Sequence, residues 1–588
     1  MPSNFVGRYQ RLWSGSLLLA LSAAGCDGRY VLGNAVDAGA QASGAGGGGD
    51  GGMPTTTGGS DAAGRDSAMA GEADNGGSRS GGAGGEPVAG AGGSDDVVIA
   101  GAGAGGEGEP EPNPLGRQRW LALQSFPSSA SSQTLLSLVD LEQRSWAGQV
   151  VESGSANDIS PSPDQRWVFY TSYPDPKNAE RLDFYLVSTA GKSAGARQLL
   201  LSGQPRAAGC VWSPDGARLA CSKGSTVVDS DALELVVYAV SGSDLGPEID
   251  LGPATSRPTF FGPTRLAYRA VGGHYVRRDL GADAPETPTD LGLSCDSLLP
   301  AADASRALCV VSSEPPSYTL LDVRRGQQQQ LGLASPHFGS SYDVAVTWTA
   351  GAGNEASDGT YRYYAIDGVE ATLVGQAEAS LPQRPYGPQI AGRSVAHLNA
   401  DQIVVTHIAA TGPATAAVVP GDYAPVQAFV LSPGGESLYF ETAEADGGKL
   451  VDDTIEHWIT RLSADGPGAP QLIARGFAEA SAVFSPDGKQ LLLGSNTYYD
   501  EPAHDADFHL FDLSQTEAVE RVLPLPLAWA TAAFSRDSTY LALIGGSLSH
   551  RARELYVVDA LRPDDARLVS SCSSNPATLP GCPNYVVF

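Results

Sequence analysis

The densest group of side chains that could do chemistry lies at residues 500–509, which read Asp-Glu-Pro-Ala-His-Asp-Ala-Asp-Phe-His. Carboxylate oxygens are the ligands that Ca²⁺ prefers, and imidazole nitrogens suit transition-metal ions. The candidate metal ligands are Asp500, Glu501, His504 and Asp505. The segment lacks the glycine and the ligand spacing of an EF-hand loop, so a solvated acidic loop is the alternative interpretation. No other cofactor is predicted.

A second segment, Gly191-Lys-Ser-Ala-Gly195, has the G-x-S-x-G pattern of a nucleophile elbow. An elbow needs a helix directly after the serine, together with aspartate and histidine partners further along the chain. Here the segment lies between two apolar runs typical of strands, at 184–188 and 198–201. We interpret it as a hairpin turn, and the sequence therefore predicts no catalytic residue.

The first 26 residues have the features of an export signal. Arg8 and Arg11 precede a short apolar run at 17–21, and Ala23-Ala-Gly-Cys26 follows. The tetrapeptide resembles a bacterial lipobox, whose cysteine carries the lipid, although Ala23 stands where that pattern prefers leucine. The resemblance implies a lipoprotein that meets the membrane only through Cys26, on the periplasmic side or at the cell surface. The alternative is an ordinary signal peptide that is cleaved nearby.

The other six cysteines fall into three near pairs along the sequence. The pairs are Cys210 with Cys221, Cys295 with Cys309, and Cys572 with Cys582. An even number of cysteines in an exported protein suggests disulfides. Free buried cysteines, or other pairings among the six, are the alternative.

Residues 27–115 are rich in glycine, alanine, serine and acidic residues and contain almost no bulky apolar side chains. Such a segment cannot bury enough apolar surface to offset its ordering entropy. We predict a disordered tether here, between the signal peptide at 1–26 and a folded domain at 116–588. The net charge of −29 argues against binding to nucleic-acid phosphates. We expect the protein to be a monomer.

Five segments of the folded domain repeat one pattern, an apolar strand followed by a Ser-Pro-Asp-Gly-type turn and a second apolar strand. They are Ile159–Phe169, Val211–Ala220, Val430–Phe440, Val483–Leu493 and Ala533–Ala542. Proline presets φ at the second turn position, and glycine accepts a positive φ at the fourth. A period of roughly 40–50 residues indicates a propeller or a solenoid, because one unit cannot bury its own apolar faces.

The segment 483–493 reads Val-Phe-Ser-Pro-Asp-Gly-Lys-Gln-Leu-Leu-Leu, and a later strand at 555–559 reads Leu-Tyr-Val-Val-Asp. Together they resemble the TolB-type, WD-like propeller repeat, which occurs in periplasmic TolB proteins and in the propellers of prolyl-oligopeptidase-type peptidases. The resemblance covers most of 117–588 and implies an all-β propeller of four-stranded antiparallel blades. We expect about eight blades, with seven and nine as alternatives, because residues 332–411 depart from the repeat. We also expect Tyr585–Phe588 to pair with the N-terminal blade and close the ring.

In a propeller, the links between successive blades surround one mouth of the central channel. The candidate binding residues in these links are Asp158, Arg206, Arg257, Glu479 and Trp529, with Trp529 as a contact for a sugar or peptide. The leading hypothesis is a lipid-anchored cell-envelope propeller that acts as a binding or scaffolding platform for a protein or cell-wall glycan. The alternative is a propeller-class carbohydrate lyase or hydrolase with acid–base groups at the channel mouth.

Overall fold

Beginning at Trp120, the chain forms ten antiparallel sheets, or blades, that follow one another along the sequence. The computed structural model describes residues 119–588 except 127–133, 143–148, 155, 176–179, 190–194, 225–232, 243, 282–285, 351–357, 381–386, 411, 447–448, 451–454, 476–480, 495–507, 528, 547–552, 573–578 and 581. We name the strands of a blade A to D, with A nearest the channel. No helix in the described part of the chain has the length and apolarity needed to cross a membrane.

The first five blades contain nineteen strands in chain order, and the last strand of the chain completes blade 1. Blade 1 contains β1 (Trp120–Phe126), β2 (Thr134–Asp140) and β3 (Gln149–Gly154). Blade 2 contains β4 (Ala156–Pro161), β5 (Trp167–Ser172), β6 (Arg181–Ser188) and β7 (Arg197–Pro205). Blade 3 contains β8 (Gly209–Trp212), β9 (Arg218–Gly224), β10 (Leu233–Ser241) and β11 (Asp244–Ala254). Blade 4 contains β12 (Thr259–Phe260), β13 (Arg265–Arg269), β14 (Tyr275–Asp279) and β15 (Thr289–Leu293). Blade 5 contains β16 (Ser297–Pro300), β17 (Arg306–Val311), β18 (Ser317–Asp322) and β19 (Gln327–Leu331).

The remaining blades follow the same order. Blade 8 has a small extra hairpin and a fifth strand, and blade 10 has a fifth strand that is parallel to its neighbour. Blade 6 contains β20 (His337–Phe338), β21 (Val344–Ala350), β22 (Asp358–Asp367) and β23 (Glu370–Ser380). Blade 7 contains β24 (Gln389–Ala391), β25 (Ser394–Asn399), β26 (Gln402–His407) and β27 (Thr415–Val418). Blade 8 contains β28 (Val426–Leu431), β29 (Ser437–Thr442), the hairpin β30 (Ala445–Asp446) and β31 (Lys449–Leu450), β32 (Glu456–Ser463), β33 (Gly466–Pro467) and β34 (Gln471–Arg475). Blade 9 contains β35 (Ser481–Phe484), β36 (Gln490–Gly494), β37 (Phe508–Asp512) and β38 (Val519–Leu523). Blade 10 contains β39 (Trp529–Phe534), β40 (Tyr540–Gly546), β41 (Arg553–Asp559), β42 (Arg562–Ser571) and β43 (Leu579–Pro580), and β44 (Cys582–Val587) returns to blade 1.

The expected number of about eight blades is wrong, because the chain forms ten. Blade 6 lies in the region that departs from the repeat, yet its A–B turn has the hydrogen bonds of the other turns. The Gly339 amide donates to the Val344 carbonyl at 3.0 Å, and the Tyr342 amide donates to the Gly339 carbonyl at 3.0 Å. The turn geometry therefore persists where the Ser-Pro-Asp-Gly letters do not.

A network of side-chain hydrogen bonds fixes the Ser-Pro-Asp-Gly-type turns. The turn serine Oγ donates to the carboxylate two residues later at 2.6–2.7 Å in four of them, those of Ser162, Ser213, Ser485 and Ser535. The same Oγ accepts the amide of the residue five positions later at 2.8–3.0 Å. The fourth turn residue has a positive φ even where it is not glycine, as at Gln165 (60°) and Ser538 (61°). The Asp and Ser side chains thus add hydrogen bonds that hold the turn backbone in place.

Side-chain hydrogen bonds also connect several blades to the next one. The donor is the residue five positions after the turn serine, or the residue at the same position in a blade whose turn has no serine. Its side chain donates to a backbone carbonyl at the end of strand C in the following blade. The pairs are Trp167 Nε1 with Gly242 at 3.0 Å, Arg218 Nη2 with Leu280 at 3.5 Å, Arg306 Nη2 with Ile366 at 3.4 Å, Gln490 Nε2 with Ala560 at 3.3 Å and Tyr540 Oη with Leu141 at 3.4 Å. These interblade hydrogen bonds satisfy carbonyls that the sheets leave unpaired.

The ring closes as predicted, because β44 pairs antiparallel with β1 and becomes strand A of blade 1. Val586 packs with the apolar side chains between blades 10 and 1, and Val587 packs with those between blades 1 and 2. The three predicted disulfides are also present. Cys210–Cys221 joins two directly paired strands, whereas Cys572–Cys582 joins the region just after β42 to the first residue of β44. The third disulfide therefore ties the closing strand covalently to blade 10.

Two turn glycines with nearly equal φ test how closely the blades approach each other. Gly435 has φ +72° and Gly488 has φ +69°, but a Cβ on Gly435 would lie 2.2 Å from the Ala391 carbonyl oxygen of blade 7. A Cβ on Gly488 would lie 3.4 Å from its nearest neighbour, the Ser432 Cβ.

Gly488→Ala should lower the free energy of unfolding by about 1–2 kcal/mol, the cost of a left-handed alanine. Gly435→Ala should cost clearly more in the same denaturant titration, and equal losses would contradict the contact between blades 7 and 8.

Candidate functional site

Three of the predicted mouth residues lie on consecutive blades. Arg206 is exposed in the link between β7 and β8, and Arg257 is exposed in the link between β11 and β12. Asp158 is not in a link. It lies within β4, where the strand bulges, and it is exposed with a φ of 45°. The region of blades 2 to 4 therefore presents one carboxylate and two guanidinium groups near the mouth.

Arg257 connects its own link to the preceding one. Its Nε donates to the Ala207 carbonyl at 3.3 Å, and its Nη2 donates to the Ala208 carbonyl at 3.0 Å. A Cβ on Gly209 would lie 2.8 Å from the guanidinium carbon, so the glycine makes room for this contact. Arg257 thus fixes the backbone directly after Arg206, and we interpret it as a positioning residue for the mouth.

The other predicted residues lie wholly or partly outside the described residues. Glu479 and the four candidate metal ligands, Asp500, Glu501, His504 and Asp505, lie outside the described residues, as does Cys26. The backbone of Trp529 begins β39, but its side chain is outside the description. Within the described ranges, no three His, Cys, Asp or Glu side chains are grouped closely enough to hold a metal ion. The metal site at 500–505 stays a prediction.

Two side chains on innermost strands were not singled out from the sequence. Leu299 on β16 is 45% exposed, and His337 on β20 is also exposed, although strand A lies deepest in its blade. Both side chains are thus accessible on the innermost strand of their blades. β16 and β20 are short, and no Ser-Pro-Asp-Gly sequence follows them, so the sequence pattern does not predict which of their side chains are exposed.

A histidine with no access to solvent lies between blades 6 and 7. His397 on β25 is 0% exposed, its ring centroid lies 4.6 Å from that of Tyr361, and its Nδ1 is 3.4 Å from the Tyr363 hydroxyl. Burial lowers the pKa of His397 to about 4. This neutral imidazole belongs to the packing between two blades, and it has no path to a ligand.

A pair of carboxylates at the end of blade 6 is not neutralised. Asp367 and Glu370 are exposed and stand directly opposite each other across the two-residue turn between β22 and β23. They are the only like-charged residues opposite each other in the described strand registers. In the described residues, no cationic nitrogen lies within 4 Å of either carboxylate. Like charges in this position destabilise a hairpin.

The corresponding turn of blade 10 shows the usual solution. There Asp559 stands opposite Arg562, and Arg562 Nη2 lies 2.8 Å from the Asp559 carboxylate. Blade 6 has Glu370 at the position where blade 10 has this arginine. The turn of blade 10, with its ion pair, can therefore be compared directly with the turn of blade 6, which has two carboxylates.

The Asp367–Glu370 pair forms one wall of a crevice of about 480 Å³ between blades 5 and 6. The other wall is the turn between β18 and β19, which carries Arg325, Gln327 and Gln328, and Arg324 lines a smaller adjoining pocket. The Asp322 carboxylate accepts the amides of Arg324 and Arg325 at 2.9 Å and so fixes the backbone of this turn. Both arginines are exposed. The crevice thus has a cationic wall and an anionic wall.

The chain matches no protein-family model and no curated protein at a significant level. Among solved structures, it is similar to a eukaryotic initiation factor (12% identity, 80% of this chain and 98% of that chain, TM-score 0.41). It is also similar to TolB from Acinetobacter baumannii (17%, 46% and 68%, TM-score 0.25) and to dipeptidyl peptidase 4 from Porphyromonas gingivalis (12%, 66% and 64%, TM-score 0.33). The protein is a β-propeller, and TolB is among its structural neighbours. Likenesses at this level carry no argument about function.

The two mouth arginines should differ in their effect on stability. Arg257→Ala removes two hydrogen bonds from a charged donor to link carbonyls, and we expect it to lower the free energy of unfolding by about 1–3 kcal/mol. Arg206→Ala removes an exposed side chain and should change it by less than about 0.5 kcal/mol. Denaturant unfolding of both variants checks this. Equal effects would contradict the positioning role of Arg257.

Replacing Glu370 should stabilise the fold. Glu370→Arg copies the blade 10 arrangement and exchanges a repulsive pair for an attractive one, which should raise the free energy of unfolding by about 0.2–1 kcal/mol. The gain should shrink at high salt, because exposed charges are screened. Chemical denaturation at low and high salt measures both effects. A loss of stability at low salt would show that Glu370 already has a favourable partner.

Acidification should weaken the packing between blades 6 and 7. The unfolded chain takes up a proton on His397 near its ordinary pKa of about 6.5, whereas the folded protein does so only near pH 4. The free energy of unfolding should therefore fall as pH drops through this window, by up to about 3 kcal/mol from this group. His397→Phe should remove that part of the pH dependence. An unchanged dependence in the variant would contradict the buried neutral state.

Proposed function

We propose that the protein is a lipid-anchored cell-envelope β-propeller that serves as a binding or scaffolding platform for a protein or a cell-wall glycan. One observation carries the proposal. The interblade hydrogen bonds and the closing strand make the ring a rigid frame. Asp158 is exposed on β4, Arg206 is exposed in the link between β7 and β8, and Arg257 fixes that link. Charged groups on a fixed frame suit recognition, because little ordering entropy is lost on binding.

The position in the cell envelope rests on other features. The three disulfides fit an oxidising compartment. The lipobox-like Ala23-Ala-Gly-Cys26 and the glycine-rich segment that follows would give a lipid anchor and a long tether. Cys26→Ser should then move the protein from the membrane fraction to the soluble fraction of the envelope.

The binding face can be tested with a matched pair of charge reversals. Arg206→Glu changes the mouth, and Arg536→Glu makes the same change on an exposed A–B turn at the opposite face. The wild type and both variants are cross-linked in native envelopes, and captured proteins are identified by mass spectrometry. Peptidoglycan co-sedimentation tests the glycan partner in parallel.

We expect Arg206→Glu to lose the partner by about tenfold or more, because a like-charged contact replaces an attractive one at the interface. Arg536→Glu should retain it. If both variants capture the partner as the wild type does, the mouth is not the binding face.

A further inference from the structure

The structure points to a second binding site, distinct from the mouth: we propose that the crevice between blades 5 and 6 binds a small zwitterion, an amino acid or a short peptide. The crevice lies at the turns between strands C and D. In an up-and-down blade these turns share a face with the A–B turns, opposite the links that form the mouth. The proposal therefore does not depend on the proposed function of the mouth.

The carboxylates of the anionic wall can accept a cation from a ligand, because no cationic nitrogen lies within 4 Å of either one among the described residues. Asp367 and Glu370 stand opposite each other on the hairpin, and residues so placed have Cβ atoms about 4.5–5.5 Å apart. One ammonium group can lie between two carboxylates at that separation and donate to both. The blade 10 turn meets the same electrostatic need with its own arginine, Arg562. Blade 6 has no such internal cation among the described residues.

The cationic wall can accept an anion from a ligand. Arg325 reaches across from blade 5, and its Nη1 lies 3.5 Å from where a Cβ on Gly368 would stand. Its nearest carboxylate is that of Asp322, with Nε to Oδ2 at 3.9 Å, which is too long for a hydrogen bond. Arg324 is exposed beside it. Guanidinium groups in this arrangement bind a carboxylate through paired N–H donors.

A ligand with only one kind of charge would leave one wall unsatisfied. A diamine would lie beside the two arginines, and a dicarboxylate would lie beside Asp367 and Glu370, so each would meet repulsion at one end. A molecule with an ammonium group at one end and a carboxylate at the other meets both walls. The amides of Gln327 and Gln328 line the same crevice and can hydrogen-bond a peptide group between the ends. The volume of about 480 Å³ is of the size that small-molecule sites have.

The test is isothermal titration calorimetry of the full chain at low salt and neutral pH. The probe is glycylglycine, and two blocked forms serve as ligand controls: N-acetyl-glycylglycine, which lacks the ammonium group, and glycylglycine amide, which lacks the carboxylate. Two double variants remove one wall each, Asp367→Asn with Glu370→Gln and Arg324→Gln with Arg325→Gln. Arg562→Gln in blade 10 is the matched protein control. Thermal unfolding verifies that each variant is folded.

We expect glycylglycine to bind at least about tenfold more tightly than either blocked form, since each removes one charge-assisted contact. Each double variant should weaken glycylglycine binding by about tenfold or more, and Arg562→Gln should leave it unchanged. The proposal is overturned if glycylglycine gives no binding heat at millimolar concentration. Equal affinity for the blocked forms, or full binding in either double variant, would overturn it as well.

Discussion

Each blade is a sheet of four or five strands with two apolar faces, and it can bury them only against two neighbours. This constraint governs the structure, because blades 1 and 10 would each expose a face if the ring stayed open. The closing strand β44 removes that exposure: Val586 is buried between blades 10 and 1, and Val587 between blades 1 and 2. Tyr540 and the Cys572–Cys582 disulfide add a hydrogen bond and a covalent bond at the same junction.

The polar side chains on the two faces of the ring then have different roles. On the A–B and C–D face, serine, aspartate, arginine and glutamine side chains are engaged in turns and in interblade hydrogen bonds. Asp487, for example, accepts from Ser485 and from the Lys489 amide, and these bonds hold its pKa below the usual range. Asp367 and Glu370 break this pattern on the same face, and Arg206 and Asp158 are exposed at the other. Charged side chains that have no partner within the protein and lie on a rigid frame are the candidates for ligand binding.

The sequence predicts the elements that repeat and misses those that do not. The Ser-Pro-Asp-Gly letters identify the propeller class, and the cysteine spacing identifies all three disulfides, because both are local features. Blade 6 escapes detection because Gly339-Ser-Ser-Tyr342 forms the same turn from different residues. The structural role of Arg257 and the opposition of Asp367 to Glu370 depend on strand register and on contacts between links, which no local pattern reports.

The most direct test of the closed ring is a disulfide between the first and last strands. Gln124 and Tyr585 are directly paired between β1 and β44, whereas Trp120 pairs with Asp140. A disulfide requires Cα atoms closer than about 7 Å. The account predicts that Gln124→Cys with Tyr585→Cys forms the bond in the folded protein, seen by peptide mapping without reduction. Trp120→Cys with Tyr585→Cys should not. Absence of the first bond, or equal formation of both, would contradict closure by β44.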